Sequence, residues 1–236
     1  MIGLVGGIGA GKSQVAARMA EIGAFVIDAD KVGHTLLNQR PVRDQVINHF
    51  GTAILGPAEA DGEPTIDRSA LAAIVFKNVE ARKALESVLH PAMRRTFEKA
   101  IFRTNRRGGV KALVLDAAIL FEANWDDLCD RIVFVDAPKE ARIARVVANR
   151  GWSEETLAAR ESAQISLDRK RAAADVVIVN NGDLAALRSA IGGCWNDLLR
   201  APTRPSPSRR PDKEPTTDVI ATASTSSITQ SDSQVD

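Results

Sequence analysis

Apolar positions along the chain follow two rhythms. Short runs dominated by Val, Ile, Leu and Ala occupy residues 2–5, 24–28, 110–116, 131–136 and 176–179. Runs of that length, bounded by glycines or acids, predict buried β-strands. Elsewhere apolar residues recur every three or four positions, as at Val15, Met19 and Ile22, and predict helices. Gly23 suits the end of the first helix, because glycine accepts the backbone that stops one. Further helices are expected over 31–38, 42–50, 69–76, 79–89, 92–103, 138–149 and 184–199. His90-Pro91 reads as an interruption, with Pro91 opening the next helix, where its missing N–H does no harm. Nothing between residues 40 and 107 reads as a buried strand. Strands alternating with helices imply an α/β fold, a parallel five-stranded sheet covered on both faces.

Residues 201–236 break both rhythms. They hold five of the ten prolines, many Ser and Thr, and no Leu or aromatic residue. Such a segment buries too little apolar surface to offset its chain entropy. Residues 200–236 are therefore expected to be a disordered C-terminal tail, and residues 1–199 a single domain with insertions.

Charge and cysteine content exclude several classes. Thirty-one basic and thirty acidic residues leave a net charge of +1, so no global field draws the chain to nucleic acid or an anionic membrane. No run approaches the roughly 18 apolar residues of a membrane-spanning helix. Cys129 and Cys194 have neither metal-binding spacing nor a disulfide framework, which suggests a reduced, cytoplasmic setting.

The first strand runs into Gly6-Gly-Ile-Gly-Ala-Gly-Lys-Ser13, which fits the template G-x-x-x-x-G-K-[ST]. Glycines let the backbone curl with its N–H groups inward around a phosphate. The helix that follows adds its positive N-terminal dipole. In this reading Lys12 reaches the β- and γ-phosphates and Ser13 ligates Mg²⁺. Asp28 and Asp30 follow the second strand, at the edge where open α/β sheets bind ligands. One of them could serve as the base for an acceptor hydroxyl and the other could hold a water on Mg²⁺. Alternatively both cap the next helix. Asp116 ends the third strand and is a candidate for contacting Mg²⁺ through water. His90 and Glu122 are weaker candidates. The segment from Arg142 through Arg145, Arg150, Arg160, Gln164, Arg169, Lys170 and Arg171 reads as a basic lid that neutralises charge on a transferred group, or else as a solvated helix face.

Together these stretches resemble the dephospho-coenzyme A kinase family. The resemblance rests on Gly6 to Ser13, Val26-Ile-Asp-Ala-Asp30, Ile66-Asp-Arg68, Leu85-Glu-Ser-Val-Leu-His-Pro91 and Leu120-Phe-Glu122. It extends to Arg160, Gln164, Lys170, Ala174-Asp175 and Asn180-Asn-Gly182, and covers about residues 1–190. It implies a P-loop NTPase core like that of nucleoside-monophosphate kinases, at about residues 1–35, 108–146 and 174–199. A helical acceptor-binding insert would occupy about 36–107 and a lid about 147–173. It implies transfer of the ATP γ-phosphate to the ribose 3′-hydroxyl of dephospho-coenzyme A, with Mg²⁺, by a monomer or small homo-oligomer. Carried over, Gly9, Ala10, Gly11, Lys12, Ser13 and Gln14 bind ATP, Ser13 binds the metal, and Asp30 is the base. An arginine, Arg142 or Arg145, meets the phosphates, and Arg142 is the first choice. The chain departs from the family pattern at Gln14, Ala117-Ala118 and Val179. A nucleoside-monophosphate-type kinase with another acceptor, or a nucleotide switch, remains the alternative. A guanine-reading Asn-Lys-x-Asp stretch is absent.

Overall fold

In the computed structural model, residues 1–57, 62 and 64–200 are described, together with the backbone of 218–220. Five strands appear where the apolar runs predict them. They are β1 (Ile2–Gly6), β2 (Ala24–Asp28), β3 (Ala112–Asp116), β4 (Arg131–Asp136) and β5 (Val176–Val179). All pair in parallel, in the spatial order β2-β3-β1-β4-β5. A further strand, β6 (Asp218–Ile220), pairs in parallel with the outer edge of β5. The expectation of disorder over 200–236 is therefore corrected at these three residues. The edge of β5 offers unpaired backbone groups, and Val219-Ile220 is a β-branched pair of the kind strands favour. The rest of 201–236 lies outside the described residues.

Each buried strand serves two cores, because successive side chains alternate across the sheet. Ile2 and Leu4 of β1, Val114 of β3, and Val133 and Val135 of β4 point to one face. There they meet Val15 and Met19 of α1 (Lys12–Glu21) and Leu187, Ile191 and Trp195 of α9 (Leu184–Arg200). Val5, Leu113, Leu115, Ile132 and Phe134 point to the other face, against Trp125 and against Met93 and Phe97 of α5 (Val79–Arg107).

The helix-rich middle builds a third core. Leu37 of α2 (Ala29–Leu37), Val42 and Val46 of α3 (Val42–Phe50), Leu71 of α4 (Arg68–Lys77) and Ala92 of α5 pack together with Ile54 and Ile66. Capping residues set these starts. Asp28 accepts from the Lys31 N–H, Asp67 from those of Ser69 and Ala70, and Asn78 from those of Glu80 and Ala81. One expectation fails here, since α5 runs unbroken for 29 residues through Pro91. Proline in a helix interior removes one N–H rung, here to the Ser87 carbonyl. Burial of Ala92, Met93 and Phe97 just beyond it outweighs that local loss.

The region after β4 consists of α6 (Lys139–Arg150), α7 (Glu154–Ser162) and α8 (Leu167–Ala172). Ser153 and Ser166 cap the last two. Among the described residues, no helix is long and apolar enough to cross a membrane.

Candidate functional site

Strand order places the site. The chain leaves β1 toward β2 and leaves β3 toward β4, so its connections diverge from two neighbouring strands. A crevice opens at such a switch point, beyond the strands' C-terminal ends. The loop 6–13 follows β1 there. Asp116 ends β3, and in the β2–β3 register Asp28 stands directly beside it. The cleft is about 1,800 Å³ and is lined by the loop, by Asp30 of α2 and by Arg82 and His90 of α5.

The loop is held from behind. Gly11 has φ +95°, and a Cβ there would lie 2.3 Å from Asn180 Nδ2, so no other residue fits without strain. Asn180, buried at the end of β5, donates from Nδ2 to the Ala10 carbonyl at 2.8 Å, and its own N–H bonds the Asp136 carbonyl. The Ala10 N–H donates to the Gly7 carbonyl and the Gln14 N–H to that of Gly11. The N–H groups of Gly9, Gly11, Lys12 and Ser13 have no acceptor among the described residues. Four donors around one turn, at a helix N-terminus, are what an oxyanion needs. Gly9, Gly11, Lys12, Ser13 and Gln14 line the cleft. Ala10 is buried beneath the loop and is not among the lining residues.

Charge in the cleft is finely balanced. Lys12 donates to the Gly6 carbonyl at 3.3 Å, which leaves two of its three N–H bonds for a ligand. Burial lowers the pKa of its ammonium, opposed by Asp116 and Asp30, while Lys170 and Arg150 lower it further. Burial pushes the Asp116 carboxyl up to about 6, opposed by Lys12 and assisted by Asp28 and Asp30. Asp28 is the N-cap of α2 and also lines the cleft. Asp30 lies in the first turn of the helix, exposed in the cleft and free of the capping role. Of the two acids only Asp28 caps the helix, and Asp30 is left facing the cleft. His90 sits edge-on against Trp125, centroids 5.3 Å apart, and burial lowers its pKa.

The basic segment divides. Arg145 lines the cleft and donates, at 3.3–3.5 Å, to the carbonyls of Gly9, Ala10 and Asn180. Arg142, one turn earlier on α6, is 5% exposed and is not among the lining residues. It sits under the loop, donating to the Ile8 carbonyl at 3.3 Å and pairing with Glu161. Arg150 and Arg160 line the mouth, both stacked on Trp152, and Arg160 also faces Phe76 of α4. Lys170 is fully buried, bonded to the Ala118 carbonyl, Gln164 Oε1 and Glu122 at 2.8–2.9 Å. Glu122 also accepts from the Ile165 N–H at 2.9 Å, so this cluster joins the end of β3 to α8. Residue order alone separates neither Arg142 from Arg145 nor a structural lysine from a lid lysine. Asn180 was legible only within a stretch that resembles the family's, with no role attached to it.

The family model described as dephospho-CoA kinase matches residues 1–186. A dephospho-CoA kinase of Symbiobacterium thermophilum is 40% identical over 196 residues, 83% of this chain and 80% of that protein. One from Corynebacterium jeikeium is 38% identical, covering 84% of this chain and 98% of that one. A solved Thermus thermophilus protein superposes with a TM-score of 0.70 at 34% identity, over 84% of this chain and 96% of that one. A solved dephospho-CoA kinase from Campylobacter jejuni gives 0.62 at 25% identity, with the same two coverages.

Proposed function

The chain belongs to the dephospho-CoA kinase family, and from that membership we propose how its residues carry the ATP-dependent phosphorylation of dephospho-coenzyme A. The observation that carries the proposal is the cleft itself: the loop's four free N–H groups, Lys12 and the exposed carboxylate Asp30 all face one space. ATP phosphates bind the N–H groups of Gly9, Gly11, Lys12 and Ser13 and the Lys12 ammonium. The acceptor's ribose 3′-hydroxyl lies against Asp30. As its oxygen attacks the γ-phosphorus, Asp30 takes the hydroxyl proton, the bond to the β-phosphate oxygen breaks, and ADP leaves.

Arg145 is the cation that meets the phosphates, in place of Arg142. Its three long bonds to carbonyls can be exchanged for shorter, charge-assisted bonds to phosphate. Arg142, bonded beneath the loop, acts through the loop. Arg150 and Arg160 stand where acceptor or nucleotide charge would enter.

The residues present fit Mg²⁺. Asp28, Asp30 and Asp116 bring three carboxyls to the cleft beside Lys12 and Ser13, and the charges of Asp28 and Asp30 add to the burial that raises the Asp116 pKa. Ser13 Oγ would hold the metal directly and Asp28 through water. The metal neutralises charge on the β- and γ-oxygens when bound. The middle helices over about 36–107 form the acceptor-binding part, and about 147–173 the lid. Cys129 and Cys194 are free and buried, in keeping with a reducing cytoplasm.

An ADP-release assay with dephospho-coenzyme A beside AMP, CMP and shikimate tests the acceptor. Turnover with dephospho-coenzyme A alone is expected, and preferred turnover of any of the others would overturn the proposal. Asp30→Asn should lower kcat by at least about 100-fold with ATP affinity little changed.

A further inference from the structure

A carboxylate of the lid reaches the backbone of the phosphate loop. Glu161, on α7, accepts from the Ile8 N–H at 3.3 Å and, through the same Oε1, pairs with Arg142 Nη1. Arg142 Nη1 also donates to the Ile8 carbonyl at 3.3 Å. Both polar backbone groups of Ile8 are thus anchored by side chains 134 and 153 positions further along the chain. The pair is shielded, with the Arg142 side chain 7% and that of Glu161 23% exposed. Packing fixes the same spot. A Cβ on Gly7 would stand 3.0 Å from Arg142 Nη1, and one on Gly9 would stand 2.7 Å from the Arg142 carbonyl.

We propose that Glu161 is a positioning residue that couples the lid helix α7 to the phosphate loop, and that this coupling sets the affinity for ATP. The proposal rests on the reading of loop 6–13 as the ATP site. Ile8 precedes Gly9, the first of the free N–H donors. Rotation of the peptide planes on either side of Ile8 would turn the Gly9 N–H away from a bound phosphate. Glu161 and Arg142 hold the Ile8 N–H and carbonyl and so lock both planes. Glu161 contributes only while α7 lies against α6, so lid position and loop shape rise and fall together.

The sign of the effect distinguishes this coupling from plain electrostatics. Glu161 carries a negative charge beside a site for a polyanion. If charge alone mattered, Glu161→Gln would tighten ATP binding. Under the coupling, Glu161→Gln loses the ion pair to Arg142 and loosens the loop. ATP affinity should then fall about tenfold, the size of a charge-assisted hydrogen bond, while kcat at saturating ATP changes less than twofold. A fluorescent ATP analogue, titrated into wild type and variant, reads affinity directly. Glu161→Asp, which keeps the charge, should recover part of the loss. The double variant Arg142→Met with Glu161→Leu removes the shielded pair together and guards against misfolding from one unpaired charge. It should melt close to wild type and still bind ATP about tenfold more weakly. Wild-type or tighter affinity in Glu161→Gln or in the double variant would overturn the coupling. If the wild-type protein bound no ATP analogue, the phosphate-loop reading would fail first and the coupling with it.

Discussion

Replacing Asp116 by Asn should make the ligand-free protein more stable while impairing catalysis. Asp116 ends β3 beside Asp28 and facing Lys12, and burial raises its pKa from 3.8 to about 6. In the unfolded chain the carboxyl ionises near its ordinary value. Between those two pH values the folded state therefore holds a proton that the unfolded state has released. Stability contributed by this group is full below the unfolded value, declines as pH rises toward 6, and then stays at its lower level. The difference of about two units corresponds to roughly 3 kcal/mol at pH 8 and about half of that at pH 5. Asparagine cannot ionise, so the variant escapes this penalty. Lys12 loses an opposing charge in exchange, which makes 3 kcal/mol an upper bound. For a chain of this size, ~1–2 kcal/mol raises Tm by roughly 3–6 °C. Melts of both proteins in nucleotide- and Mg²⁺-free buffer at pH 8, 6 and 5 provide the assay. The gain in Tm should be largest at pH 8 and shrink toward pH 5, and turnover should fall at every pH. A variant that melts at or below the wild-type temperature at pH 8, or whose gain does not vary with pH, would refute the argument that folding strains this carboxylate.

Lys170→Met should destabilise by about 3–5 kcal/mol, since it strands the Glu122 carboxylate between α8 and the end of β3; chemical denaturation measures it, and a change under 1 kcal/mol would deny the cluster that role. Gly11→Ala should abolish detectable ATP binding and cost at least about 1–2 kcal/mol, because the left-handed backbone and the Asn180 amide both oppose a Cβ. Arg145→Ala should lower kcat with dephospho-coenzyme A by about 100-fold with a smaller effect on ATP affinity; single-turnover kinetics check it, and a pure KM effect would assign Arg145 to ground-state binding.

Much of this protein was legible before folding. The apolar runs predict all five principal strands: the central ones, buried on both faces, must be apolar nearly throughout, and the edge strand β2 is apolar as well although Phe25 stays exposed. The phosphate loop is legible because its chemistry is local: glycines, a lysine and a serine in consecutive positions form the donor turn. Asp28 and Asp30 are legible as strand-end acids, but only the helix start separates the cap from the exposed carboxylate.

What the tertiary structure decided are relations between residues distant in sequence. Asp116 becomes a strained acid because folding buries its carboxyl, and parallel pairing adds Asp28, 88 positions earlier, beside it. Arg142 and Arg145 share a residue type and a helix, yet their depth against the loop gives one to Glu161 and leaves the other to the cleft. The continuity of α5 through Pro91 depends on packing that outweighs a local preference, and β6 depends on an edge to pair with. Local propensity chooses the elements. The long-range contacts assign a role to each charged side chain, because burial and neighbours alone set its energy.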